Sequence, residues 1–198
     1  SPIDTAKAVC MLMTHEGSCR DYLFGGSKTV TKPGMPLIAI PTTAGSGSEM
    51  TAAAVIADKQ RNVKLSITSP YLIPKIAVID PETGMPPFIT ATTGMDALTH
   101  AIESYVSKRE NPVADLFALK AIKLIAGSIR RAAADGNDIQ ARADMALAST
   151  LAGVAFMNGG LGVVHGISQT MGAIAHVAHG EANALLLPYC IKKNAPAC

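Results

Sequence analysis

Tryptophan is absent from the 198 residues, and phenylalanine and tyrosine supply only four side chains each. A core built on large rings is therefore excluded, and small aliphatic side chains must do the packing. Charge is also scarce, at 16%, with no excess of one sign. Seventeen basic residues face 15 acidic ones for a net charge of +2. That balance excludes a dedicated nucleic-acid binder. No apolar run reaches the ~18–20 residues of a membrane span, so no membrane partner is expected. The four cysteines (Cys10, Cys19, Cys190 and Cys198) lack metal-type spacing, and a chain of this size needs no disulfide scaffold. A reduced, cytoplasmic protein is expected. Ser1 is not a natural start, and no signal peptide is expected. What is plentiful is aliphatic: 48% hydrophobic residues and a mean hydropathy of +0.27. This excludes a wholly disordered chain. Length over ~150 allows one or two domains. The low charge suggests core-like surface that expects a partner.

The pattern changes near Pro86-Pro87. Before it, short apolar or alternating segments at 37–40, 53–57, 64–68 and 75–79 end at turn residues, the signature of strands. One helix is predicted over 4–13, with Ser1 as N-cap and Pro2 at its first position. After Pro87 the spacing is helical. Helices are predicted from Thr90 or Thr92 to 107, from the Asn111-Pro112 cap to 134, and over 139–156, 161–175 and 181–189. Residues 1–84 therefore read as an α/β domain and 85–198 as an all-α domain. One helix cannot cover four parallel strands. Either the strands pair as antiparallel hairpins, or sequence outside this chain supplies the covers.

Four of the five histidines lie in the helical half. Asp96 and His100 are four apart and leave one helical face. His165 starts a helical stretch after Gly159-Gly160-Leu161-Gly162, and His179 follows 14 residues later beside Gly180. Three imidazoles and one carboxylate form a donor set that suits Fe(II), Zn(II) or Mn(II). Spacing alone leaves the plainer alternatives open, a helix-surface pair and a loop histidine.

The surrounding residues narrow the choice. Gly94-Met95-Asp96-Ala97-Leu98-Thr99-His100-Ala101-Ile102-Glu103 resembles the metal-binding helix of the iron-containing (group III) alcohol dehydrogenases. His165-Gly166, followed by His179-Gly180-Glu181-Ala182-Asn183-Ala184, resembles that family's second signature. Pro41-Thr42-Thr43-Ala44-Gly45-Ser46-Gly47-Ser48-Glu49 resembles its cofactor-contacting strand and loop, and residues 1–7 the segment after its glycine-rich turn. The four motifs stand in the family's order and span the chain.

The resemblance implies a dehydroquinate-synthase-like architecture, with an incomplete Rossmann-like nucleotide-binding part followed by a helical metal-binding domain. It implies hydride transfer between NAD or NADP and a primary alcohol or aldehyde. By resemblance, Asp96, His100, His165 and His179 hold Fe(II), or alternatively Zn(II), and the metal polarises the substrate oxygen. Ser1, Asp4, Thr42, Thr43, Ser46, Lys64 and Leu72 fall at cofactor-binding positions. Asp4 has a second reading as a first-turn acid favourable to the helix dipole. His176 stands where many relatives keep a proton-relay histidine, and Phe156 where a pocket wall or core residue is expected. Gln169 replaces a histidine found in many relatives; it cannot titrate, but it can orient a substrate hydroxyl. Against the family's pattern the chain reads as an internal fragment lacking both termini. That leaves apolar surface expected to favour a homo-oligomer. The competing expectations are a non-catalytic metal-binding piece of such an enzyme and a metal-dependent hydrolase or lyase. No HExxH motif supports the latter.

Overall fold

The computed structural model describes residues 1–197. Cys10, Cys19 and Cys190 are free thiols, and Cys198 lies outside the described residues. The chain divides into two compact units. One comprises Ser1–Pro41 and Ser48–Val78, the other Thr42–Gly47 and the chain from Ile79 onward.

The first unit opens with α1 (Pro2–Leu12). The Ser1 hydroxyl accepts the Asp4 N–H at 3.2 Å, and Pro2 occupies a position whose N–H would have no partner, as the sequence predicts. Four strands follow: β1 (Ile38–Ala39), β2 (Ala53–Asp58), β3 (Val63–Thr68) and β4 (Ile76–Ala77). β2 and β3 form an antiparallel hairpin, in register from Ala53 opposite Thr68 to Asp58 opposite Val63. Asp58 builds its turn, accepting the N–H groups of Gln60 (3.0 Å) and Arg61 (3.3 Å), while Asn62 takes a left-handed φ of 52°. β1 and β4 pair in parallel over two residues. The longer pairing is thus the antiparallel hairpin, one of the two expectations, and a two-residue parallel pair occurs as well. Ala8, Met11, Tyr22, Leu23, Ala54, Ile67 and Leu72 form the core between α1 and the hairpin.

That core also contains a lysine. Lys7 is buried, and its ammonium donates to the carbonyls of Thr51 (2.7 Å) and Ala53 (2.9 Å) and to the Thr51 hydroxyl (3.0 Å). Burial pushes its pKa from 10.5 down to about 8, against the opposing pull of Asp4 and Glu49. The sign follows from proton counting. Between those values the unfolded chain holds a proton that the folded chain has released, so stability rises with pH. A difference of about 2.5 in pKa is worth ~3 kcal/mol. We expect denaturant titrations across that window to show a gain of this order in wild type relative to Lys7→Met. Parallel curves would refute it.

The second unit is helical: α2 (Pro87–Tyr105), α3 (Pro112–Ala134), α4 (Ile139–Gly159), α5 (Val163–Ile174) and α6 (His179–Asn194). The expected threonine cap of α2 is corrected. The helix starts at Pro87, and Pro86 makes no side-chain cap. The Thr90 and Thr92 hydroxyls instead donate back to the carbonyls of Met85 (3.0 Å) and Phe88 (2.9 Å). A threonine inside a helix can satisfy its hydroxyl on a carbonyl of the preceding turn, so its presence does not mark the helix start. Asn111 caps α3 as predicted, accepting Ala114 N–H at 3.1 Å. α6 begins two residues before its expected start and runs past Pro188 to Asn194. Ala97, Ala101, Ala121, Ala132, Ala141, Ala148 and Ala152 surround Ile125 and Met145 between α2, α3 and α4. Methyl side chains let these helices approach closely. Among the described residues, no single helix is long and apolar enough to cross a membrane.

Candidate metal centre

Three helices of the second unit supply the centre. Asp96 and His100 lie one turn apart on α2, His165 sits in the first turn of α5, and His179 is the first residue of α6. Asp96, His100 and His165 are buried, and His179 is half-buried. The Nε2 atoms of His100, His165 and His179 stand 3.8, 3.6 and 3.5 Å from one atom, Asp96 Oδ1. Donor atoms of Asp96, His100 and His165 all lie within 4.8 Å of one another. The His100 and His165 rings stack at 4.4 Å, and Phe156 of α4 stacks on the other neighbour of the pair, His100, also at 4.4 Å. Phe156 therefore bounds the ligand cluster.

The fit to a metal ion can be tested on these distances. A tetrahedral ion with bonds of ~2.1 Å separates its donors by about 3.4 Å. The observed 3.5–3.8 Å around Asp96 matches that with little adjustment. The chemistry also agrees. Burial pushes His100 down to about 4, more strongly than Asp96 pulls it up, so its imidazole is a neutral ligand. Burial would raise Asp96, but the imidazoles of His100, His165 and His179 around it hold it well below the usual carboxylate range. Burial would lower His165, yet the nearby Asp96 carboxylate and the hydrogen-bonded Glu103 outweigh this and push it up to about 9. A cation bound there would replace that proton.

Two residues here were not singled out from the sequence. Glu103, on the Asp96 face of α2, accepts from His165 Nδ1 at 2.6 Å and from the Val164 N–H at 2.7 Å. Asn183 of α6 is fully buried and donates to Asp96 Oδ1 at 2.6 Å. Its amide nitrogen lies 3.3 and 3.4 Å from the Nε2 atoms of His165 and His179. A signal was present for both: Glu103 stands seven residues after Asp96, and Asn183 four after His179, each on the helical face of its ligand.

The remaining expected site residues fall as follows. Gln169 is half-buried on α5, one turn beyond His165. His176 is exposed in the segment joining α5 to α6, with a left-handed φ of 56°. Thr42, Thr43 and Ser46 belong to the loop that the second unit contains. The others are in the first unit. Ser1 caps α1, and Asp4 accepts from the Ser48 hydroxyl at 2.7 Å as well as from the Ser1 amino group at 3.1 Å. Lys64 is half-buried on β3, and Leu72 is a core residue of that unit.

A buried carboxylate facing three imidazoles on a helical scaffold is a donor set that suits a single divalent metal ion. The comparisons name the family. The description "Iron-containing alcohol dehydrogenase" matches residues 1–81, and "Fe-containing alcohol dehydrogenase family, C-terminal" matches residues 90–198. The chain belongs to the iron-containing alcohol dehydrogenase family, and its architecture is of the dehydroquinate-synthase-like kind. It is 47% identical to the long-chain-alcohol dehydrogenase 1 of Geobacillus thermodenitrificans over 96% of this chain and 48% of that protein. A crystal structure of a 1,3-propanediol oxidoreductase superposes with a TM-score of 0.94 at 44% identity, covering 100% of this chain and 52% of that one. A sulfoacetaldehyde reductase from Bifidobacterium kashiwanohense, solved with NAD+, gives 0.91 at 37% identity, covering 97% and 51%. The chain thus spans about half the length of the relatives it matches.

Proposed function

We propose that the protein is an alcohol dehydrogenase that interconverts primary alcohols and aldehydes with NAD or NADP, using Fe(II) or alternatively Zn(II). The observation that carries this reading is the convergence of Asp96, His100, His165 and His179 on one buried point. A metal held there would supply a Lewis acid for the substrate oxygen, and a nicotinamide cofactor would supply the hydride acceptor or donor. The chain's own residues do the rest. Asp96 contributes the one negative charge of the donor set, and the neutral imidazoles leave it uncrowded by further anions. Phe156, stacked on His100, supplies an apolar wall that excludes water from the ligands. Gln169, a turn beyond His165, orients the substrate hydroxyl through its carboxamide, and His176 exchanges the hydroxyl proton with solvent. Thr42, Thr43 and Ser46 offer hydroxyls to the cofactor. Ser1, Asp4, Lys64 and Leu72 are assigned to the cofactor on the strength of the family motif. The cysteine spacing, with no metal or scaffold pattern, supports a reduced, cytoplasmic setting. Exposed Val113 and Leu116 on α3 support a homo-oligomer.

The reading is tested by elemental analysis of anaerobically purified protein, followed by assay with NAD+ or NADP+ and short primary alcohols. About one equivalent of iron or zinc, with alcohol-dependent formation of the reduced cofactor, is the expected result. Metal uptake accompanied by ester or amide hydrolysis and no cofactor reduction would replace it with the hydrolase alternative.

A further inference from the structure

Helix α5 begins without a cap of its own. Gly162 precedes it and has no side chain to accept the first N–H groups. The acceptor comes from α2: Glu103 Oε1 takes the Val164 N–H at 2.7 Å. Its other oxygen, Oε2, takes His165 Nδ1 at 2.6 Å. Both partners are buried, and Glu103 is itself only 4% exposed. The approach requires glycine at 162, because a Cβ there would stand 2.7 Å from Glu103 Oε1.

The two contacts constrain the imidazole. An ionised carboxylate only accepts, so Nδ1 must carry a proton. A metal ligand must present a lone pair, and His165 Nε2 is the atom that faces Asp96. With Nδ1 held as the donor, the neutral ring has its lone pair on Nε2. We propose that Glu103 is a positioning residue that locks His165 in its Nδ1–H tautomer while pinning the start of α5, and so sets the affinity of the centre for its metal. This rests on the metal-dependent reading above.

Glu103→Gln separates the two duties. A carboxamide has one acceptor oxygen and one donor nitrogen. If the oxygen keeps Val164, the NH2 group faces Nδ1 and drives the ring proton to Nε2. If the oxygen keeps His165, the NH2 group opposes the Val164 N–H. Neither arrangement satisfies both.

The test is Zn(II) affinity by competition with a chelator, together with NMR of the ring N–H protons in the Zn(II)-loaded protein. Wild type should show a far-downfield, slowly exchanging His165 Nδ1–H. Glu103→Gln should bind Zn(II) about 10- to 100-fold more weakly, with that resonance moved upfield or lost to exchange. Unchanged affinity and an unchanged resonance in a folded Glu103→Gln protein would overturn the proposal and leave the metal reading intact. If the variant does not fold, wild type alone decides, because an ordinary, fast-exchanging His165 ring proton is incompatible with the lock. Failure of wild type to take up Zn(II) at all would overturn both.

Discussion

Alanine in place of His179 should remove tight metal binding and leave the helical unit about as stable, whereas alanine in place of His165 should remove tight metal binding and also lower stability. The two histidines approach the same oxygen, Asp96 Oδ1, at 3.5 and 3.6 Å, so each supplies one of four donors. Structural zinc sites bind with ~10–16 kcal/mol, which is about 3 kcal/mol per donor, or roughly two decades of affinity for each one lost. Their surroundings differ. The His179 side chain is 34% exposed, at the first position of α6, and its removal opens the centre to water. The His165 side chain is 3% exposed and is the partner of buried Glu103. Deleting it strands a buried carboxylate, which costs about 3–5 kcal/mol. Thermal unfolding with and without Zn(II) distinguishes the cases. Wild type should be stabilised by added metal through binding to the folded state alone. His179→Ala should unfold at nearly the wild-type metal-free temperature and gain little from metal. His165→Ala should be markedly less stable in both conditions. Equal metal-free stabilities for the two variants would show that Glu103 does not depend on His165.

How much of this was legible in the sequence depends on how local each signal is. Ser1-Pro2 and Asn111-Pro112 gave correct helix starts because a cap is a contact between residues three apart. The hairpin of β2 and β3 was legible as two runs of strand length bounded by turn residues. The β1–β4 pair was not, because residues 38–39 and 76–77 meet only through tertiary structure. Thr90 and Thr92 misled because a threonine within a helix can donate its hydroxyl to a carbonyl of the preceding turn instead of capping the start. The helix expected over 181–189 runs on past Pro188 to a last turn whose Lys192 and Lys193 suit its negative end. The four proposed ligands stand in two motifs of the sequence, and the structure draws those motifs together from α2, α5 and α6. The residues that hold them were overlooked. Glu103 stood inside a motif already quoted, but its partners, Val164 and His165, lie about 60 residues away, and no spacing rule reaches that far.

The two His-Gly pairs look alike in sequence, yet substitution of their glycines should have opposite effects. A Cβ on Gly166 would meet nothing within 4 Å. Gly166 lies in α5, where alanine is the better helix former, so Gly166→Ala should raise stability by up to about 1 kcal/mol and leave metal affinity unchanged. A Cβ on Gly180 would overlap the Thr92 carbonyl oxygen, with the Thr92 carbonyl carbon at 2.7 Å and Thr93 N at 3.3 Å. These are backbone atoms and cannot turn aside as a side chain can. Thr92 lies one turn before Asp96 on α2, and Gly180 directly follows His179 on α6, so the contact sets how closely His179 approaches Asp96. An alanine there must push α6 outward. Overpacking of this kind costs about 1–3 kcal/mol, and a metal centre tolerates errors of only about 0.2 Å in its ligand distances. Gly180→Ala should therefore lose stability and bind Zn(II) at least ~10-fold more weakly, with His179 as the ligand displaced. A chelator competition on the two single variants decides the matter. Equal affinities would mean that α6 can yield along its length without moving His179, and that the close approach of α6 to Thr92 is packing alone.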